Sequence, residues 1–270
     1  MEPLRFLHIP KTAGSTFTGI LKRQYCGERC FYFSGDFSSD IERYNELSEN
    51  KRHNITLFIG HAPIETGISS ADNATIITFL RDPISRVKSF CQHVSEGKSN
   101  HFIDTFPPET FSIDDFLESG TLELSNLQTK MLINYGDCTT SLLLDDLSDR
   151  EAINAAADNL FNKISYFGIQ EYFDASLIIL SSALNWKMPF YISKNKKNTK
   201  KLIEFEDRHL KRIEELNSLD LEVYRTAKEK FILSLNSEEF NKAKLRWFQL
   251  INAPRGFIIK SKNRPVWLIG

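Results

Sequence analysis

Cysteine is scarce in these 270 residues, and the four that occur (Cys26, Cys30, Cys91 and Cys138) are too few and too scattered for a disulfide scaffold. The Cys26 and Cys30 pair, spaced C-x₃-C, leaves a bond or redox pair open, but no second ligand pair stands nearby to suggest zinc. Net charge is also nearly absent, at −1, so no global field draws the chain to nucleic acid or to acidic membranes, and any polyanion site must be a local patch. No apolar run approaches the length needed to span a bilayer, and Met1-Glu2-Pro3-Leu4 shows no charged-then-apolar signal segment. A soluble, cytoplasmic protein is expected. Internal repeats, low-complexity tracts and linkers are missing too, so residues 1–270 are expected to form a single domain. What is present is ordinary globular composition, 41% hydrophobic and 26% charged, enough for one substantial core.

Residues Phe6 to Phe17 form an apolar strand, a tight turn with Lys11 and Gly14, and then hydroxyl residues opening a helix. Unpaired N–H groups at a helix N-terminus and the helix dipole favour an anion there, and Lys11, Ser15 and Thr16 add a charge and donors. An ordinary strand–turn–helix with a surface lysine fits the segment equally well. It is not the Gly-x-x-x-x-Gly-Lys-Ser/Thr loop of nucleotide triphosphatases: the lysine precedes the glycine, and no glycine stands five residues upstream of Gly14.

A second segment points the same way. Thr75 to Leu80 is a short β-branched apolar run suited to a buried parallel strand, with Arg81 at its end. Asp82 is placed as an N-cap and Pro83 at the first helical position. Arg81 and Ser89 can converge on one phosphate, the guanidinium binding it bidentately.

Pro-Lys-Thr-Ala-Gly-Ser-Thr (10–16) and Leu-Arg-Asp-Pro-Ile-Ser-Arg-Val-Lys-Ser (80–89), about seventy residues apart, resemble the two cofactor loops of sulfotransferases that use PAPS (3′-phosphoadenosine 5′-phosphosulfate). The branch resembled is the one containing heparan sulfate 2-O-sulfotransferase and its bacterial relatives. The resemblance implies that Lys11, Thr12, Ala13, Gly14, Ser15 and Thr16 grip the 5′-phosphosulfate, and that Arg81 and Ser89 grip the 3′-phosphate. It implies a carbohydrate-type hydroxyl as acceptor, adenosine 3′,5′-bisphosphate as product, and no metal. Vertebrate members are anchored in the Golgi by an N-terminal membrane helix; its lack here suggests a bacterial relative.

Sulfuryl transfer needs a base for the acceptor hydroxyl and a cation for the leaving phosphate oxygen. Lys11 suits the second task. His61, following a strand that ends in Gly60, suits the first, because imidazole titrates near neutrality and the family carries its catalytic histidine in such a Gly-His pair. Glu65 is the rival base, since other carbohydrate sulfotransferase branches use a glutamate. Asn126, Gln128 and Lys130 resemble an Asn-x-Gln-Thr-Arg segment on the acceptor side of the family's cleft, with lysine replacing arginine. Their amides serve equally well to tie down local backbone.

Apolar runs at 5–9, 55–60, 76–80 and 166–169 alternate with helical patterns at 16–25, 84–94, 150–163 and 174–184. They predict an α/β fold, a P-loop-like three-layer α/β/α sandwich with a central parallel sheet and a helix-rich C-terminal half. Helical segments follow from Glu206 to Gln249, and 257–259 and 266–269 read as edge strands. The polar stretch 97–108 reads as a surface or substrate-gating loop, and the basic run Lys194–Lys201 as a solvated segment or one near the anionic ligands. Two readings compete with sulfotransfer: a nucleotide kinase or NTPase with a variant phosphate loop, and a non-catalytic nucleotide- or glycan-binding protein.

Overall fold

The structure, a computed structural model, describes residues 2–25, 27–133, 147–192 and 202–262. Cys26, Cys138, the basic run Lys194–Lys201 and the tail 266–269 lie outside these described residues.

Five parallel strands make one sheet. They are β1 (Leu4–Leu7), β2 (Cys30–Phe33), β3 (Leu57–Gly60), β4 (Thr75–Leu80) and β5 (Tyr166–Ile169), in the order β2-β3-β1-β4-β5. Helices α1 (Gly14–Gln24), α2 (Phe37–Asn45), α3 (Glu49–His53), α4 (Ser69–Asp72), α5 (Pro83–Ser95), α6 (Ile113–Leu117), α7 (Leu127–Leu132), α8 (Asp149–Asp158), α9 (Phe173–Ala183), α10 (Asp207–Leu216), α11 (Ser218–Leu235) and α12 (Lys242–Lys262) complete the chain. This is the expected α/β sandwich with a helix-rich C-terminal half.

The strand pleat sorts the core into two layers. Leu4 and Phe6 of β1, Leu57 and Ile59 of β3, and Ile77 and Phe79 of β4 pack one face against Phe17, Ile20 and Leu21 of α1 and Leu177, Ile178 and Leu180 of α9. Leu7, Ile76 and Leu80 turn the other way, onto Val223, Ala227 and Phe231 of α11 and Ala156 of α8. Both faces are covered, which is why the strands are continuously apolar. Arg5 is the exception: its guanidinium is buried, pairs with Asp72 at 3.0 Å and also donates to the Ile64 carbonyl.

Two expectations are corrected. Cys30–Phe33 is an additional strand, β2, at the edge of the sheet, with burial alternating along it. Residues 257–259 are not an edge strand, because α12 carries the helix through to Lys262. No helix among the described residues is long and apolar enough to cross a membrane.

Candidate functional site

Register places the ends of β3, β1 and β4 side by side: Leu7 pairs with Gly60 on one flank and with Thr78 on the other. Ligands of such sheets bind beyond these carboxyl ends. The loops carrying Lys11, His61 and Arg81 therefore leave the sheet as immediate neighbours.

The loop after β1 is strained. Lys11 (φ 68°) and Ala13 (φ 73°) both adopt left-handed conformations without being glycine, at a cost of about 1–2 kcal/mol each. Two hydrogen bonds hold it there. Thr12 is fully buried and its hydroxyl donates to the Ile9 carbonyl at 2.8 Å, and Arg81 Nη1 donates to the Lys11 carbonyl at 3.0 Å. Ala13 is the N-cap of α1, and its carbonyl accepts the amides of Thr16 and Phe17, both at 3.1 Å. The first-turn donors left for an anion are the N–H groups of Gly14 and Ser15. Ser15 is exposed and Thr16 buried.

Gly14 is required by a ring. A Cβ at this position would lie 1.8 Å from His8 Nε2. His8 in turn stacks on His61, with centroids 4.7 Å apart and planes 26° apart. His61 Nδ1 lies 2.5 Å from the His8 carbonyl oxygen. A carbonyl only accepts, so Nδ1 carries the proton and Nε2 carries the lone pair. Burial lowers the His61 pKa, opposed by the His8 carbonyl and by the nearby Glu123 carboxylate. Burial, reinforced by His61 and Lys11 nearby, lowers that of His8 to about 3.

Cations gather on the other flank, with Glu96, Glu171 and Asp82 as the carboxylates near them. Burial lowers the Lys11 pKa to about 8, helped by Arg81 and Lys98 and opposed by Glu96. Burial likewise lowers the pKa of His93, helped by Lys11 and Lys98. Among the described residues, no hydrogen bond or ion pair takes up the Lys11 ammonium, and Arg81 Nε is buried without a partner. Confined cations with an orphaned guanidinium N–H fit a multiply charged anion such as the phosphates of PAPS. Ser89 stands on the face of α5 that also carries Gln92 and Glu96, the latter within electrostatic reach of Lys11. Asp82 starts that helix by accepting the Ser85 amide at 2.8 Å, with Pro83 at its first position. Sequence reasoning passed over Lys98 and Glu123, because a lone charged residue in a polar stretch or turn carries no pattern; His93, four residues after Ser89 on the same helix, reads from sequence as a structural histidine.

Other expected members are placed elsewhere. Glu65 is exposed and paired with Lys163 at 2.8 Å. Lys163 lies just ahead of β5, so Glu65 belongs to the amino side of the sheet, away from His61. Gln128 is buried, and both ends of its amide are engaged by the Arg81 backbone, at 2.9 and 2.8 Å. Asn126 Oδ1 caps α11 by accepting the amides of Leu219 and Asp220 at 3.0 and 3.2 Å. Of this trio, Asn126 and Gln128 tie down backbone; Lys130 is half-buried. Two adjoining clefts, about 490 and 400 Å³, open around Pro3, Tyr44 and Ser70 and contain none of these residues.

No protein-family model matches the chain. It is 24% identical over 267 residues to heparan-sulfate 6-O-sulfotransferase 2 of Gallus gallus, covering 84% of this chain and 66% of that protein. The chain is similar to heparan-sulfate 6-O-sulfotransferases. The Homo sapiens 6-O-sulfotransferase 2 is 26% identical over 269 residues, covering 84% of this chain and 44% of that protein. The chain thus spans about two thirds of the first relative and under half of the second. From the sequence the 2-O branch is expected, whereas these relatives bear the 6-O name. Among solved structures, mouse sulfotransferase SULT7A1 complexed with PAP aligns over 82% of this chain and 64% of that one, with 15% identity and a TM-score of 0.40.

Proposed function

We propose that this chain is a PAPS-dependent sulfotransferase that modifies a hydroxyl of a carbohydrate acceptor. The observation that carries this reading is the meeting of three groups at adjacent strand ends: the Lys11 ammonium, the Arg81 guanidinium bonded to the Lys11 carbonyl, and His61 with Nδ1 bonded to the His8 carbonyl. Similarity to enzymes named for heparan sulfate supports a glycosaminoglycan-like acceptor.

PAPS supplies an activated sulfuryl group joined to phosphate. The amides of Gly14 and Ser15 and the Lys11 ammonium bind its 5′ end, and Arg81 with Ser89 binds its 3′-phosphate. His61 Nε2 accepts the proton of the acceptor hydroxyl, while Nδ1 stays bonded to the His8 carbonyl, so the imidazolium that forms is held in place. Glu123 is the carboxylate nearby to offset its charge. Lys11 neutralises the charge that grows on the departing phosphate oxygen. Lys130 is the residue of the acceptor segment we assign to an anionic group on the glycan.

The test is transfer of radiolabelled sulfate from PAPS to a panel of glycans, with calorimetry of adenosine 3′,5′-bisphosphate and ATP without metal. We expect label on a glycan, tight binding of the bisphosphate, and His61→Ala inactive. Preference for ATP with Mg²⁺, or binding without transfer to any hydroxyl, would overturn the proposal.

A further inference from the structure

Arg81 is held by one side chain at both of its backbone polar groups. Its N–H donates to Gln128 Oε1 at 2.9 Å, and its carbonyl accepts from Gln128 Nε2 at 2.8 Å. Arg81 directly follows β4, so this amide extends the strand's pairing by one residue. The next peptide is held as well: the Asp82 N–H donates to Glu171 Oε1 at 3.0 Å, and Tyr224 secures that carboxylate through Oε2 at 2.9 Å.

The clamp is itself anchored. Gln128 is 1% exposed and lies in the first turn of α7. The buried Asp220 carboxylate accepts the amides of Gln128 and Thr129 at 3.1 and 2.7 Å, and Asn126 Oδ1 caps α11 in return. These reciprocal caps join the helices without the Gln128 side chain, whose polar atoms are committed to Arg81. A buried amide left unpaired is costly, so the pairing fixes where the Arg81 backbone sits. From there a long guanidinium side chain reaches the Lys11 carbonyl and keeps Nε for a ligand.

We infer that Gln128 is the positioning residue for 3′-phosphate recognition, acting through the Arg81 backbone rather than by touching the acceptor. The inference rests on the nucleotide reading above. It makes selectivity for the 3′-phosphate a property of α7 as much as of the loop that binds it.

Calorimetry with adenosine 3′,5′-bisphosphate and adenosine 5′-monophosphate tests it on the wild type, Gln128→Met, Gln128→Glu, Arg81→Ala and the Arg81→Ala/Gln128→Met double variant. We expect Gln128→Met to lose about tenfold in bisphosphate affinity and under about twofold in monophosphate affinity. The double variant should bind the bisphosphate no more weakly than Arg81→Ala. Gln128→Glu keeps an acceptor for the Arg81 N–H and should lose less; it carries the same comparison if Gln128→Met fails to fold. Equal losses on both ligands, no loss on the bisphosphate, or additive losses in the double variant would overturn the inference. A wild type indifferent to the 3′-phosphate sinks the nucleotide reading; a preference erased by Arg81→Ala but untouched by Gln128→Met sinks the clamp alone.

Discussion

Arg81 Nη1 donates to the carbonyl oxygen of Lys11 at 3.0 Å, across seventy residues of chain. One guanidinium thus braces the strained loop after β1 while standing at the end of β4. Removing it takes away a charge for the ligand and a support for Lys11 together.

Arg81→Lys keeps the charge but lacks the planar fork that can serve a carbonyl and a phosphate at once. We expect it to weaken adenosine 3′,5′-bisphosphate about tenfold or more, with most of the loss absent for the 5′-monophosphate. Calorimetry reads both; a neutral Arg81→Lys would show that charge alone suffices.

The Lys11 ammonium gives binding a pH dependence. Its pKa is lowered to about 8 in the free protein, first by burial and then by Arg81 and Lys98. An anion favours the charged form, so binding raises that pKa and takes up a proton near pH 8–9. Affinity should fall by up to about tenfold per pH unit above 8. Titrations in buffers of different ionisation enthalpy check the proton count, and Lys11→Arg should flatten the slope.

His61 should leave a separate mark. Its pKa is depressed by burial, so the free base persists at neutral pH and the acid limb of kcat/KM lies below pH 6.5. His61→Ala is expected to lose at least about 100-fold in kcat with bisphosphate affinity changed less than about twofold. Comparable turnover in the variant would send the search for a base elsewhere.

His8 ties this site to acid stability. In the fold its pKa is near 3, against 6.5 for the free side chain, so the unfolded chain binds the extra proton. Stability is complete above pH 6.5 and is lost as pH falls through the window down to 3, by up to about 1.4 kcal/mol per pH unit from this one group. His61 adds in the same direction. Denaturant melts from pH 7 to 4.5 should show the loss, and His8→Asn should reduce its slope.

Gly14→Ala drives a methyl into the His8 ring. We expect it to destabilise by about 3 kcal/mol or more, and Gly14→Ala/His8→Ala to be more stable than Gly14→Ala alone. Thermal melts decide; failure of the pair to recover would place the glycine's requirement in the ligand rather than the ring.

Much of this site is written locally. Arg81 after a β-branched run, Asp82 and Pro83 opening a helix, and Lys11 before a hydroxyl-rich helix start are contiguous signals, and the parallel sheet follows from alternating apolar runs. The partnerships are not local. From sequence Gln128 fits a ligand-facing or a backbone-tying amide equally well, and Arg81 decides for the second; Glu65 reads as the rival base, and Lys163 pairs with it. Gly14 looks like a concession to a nucleotide, though its need comes from a histidine six residues earlier.

The stack running from Gly14 through His8 to His61 has a consequence for anyone redesigning this protein. The proposed anion grip and the proposed proton acceptor share one set of touching atoms, so neither can be retuned in isolation. Swapping the loop to welcome a different donor nucleotide would tilt the imidazole, and a bulkier group in place of that imidazole would press back on the loop. Productive variants should therefore arise as coordinated changes at 8, 14 and 61.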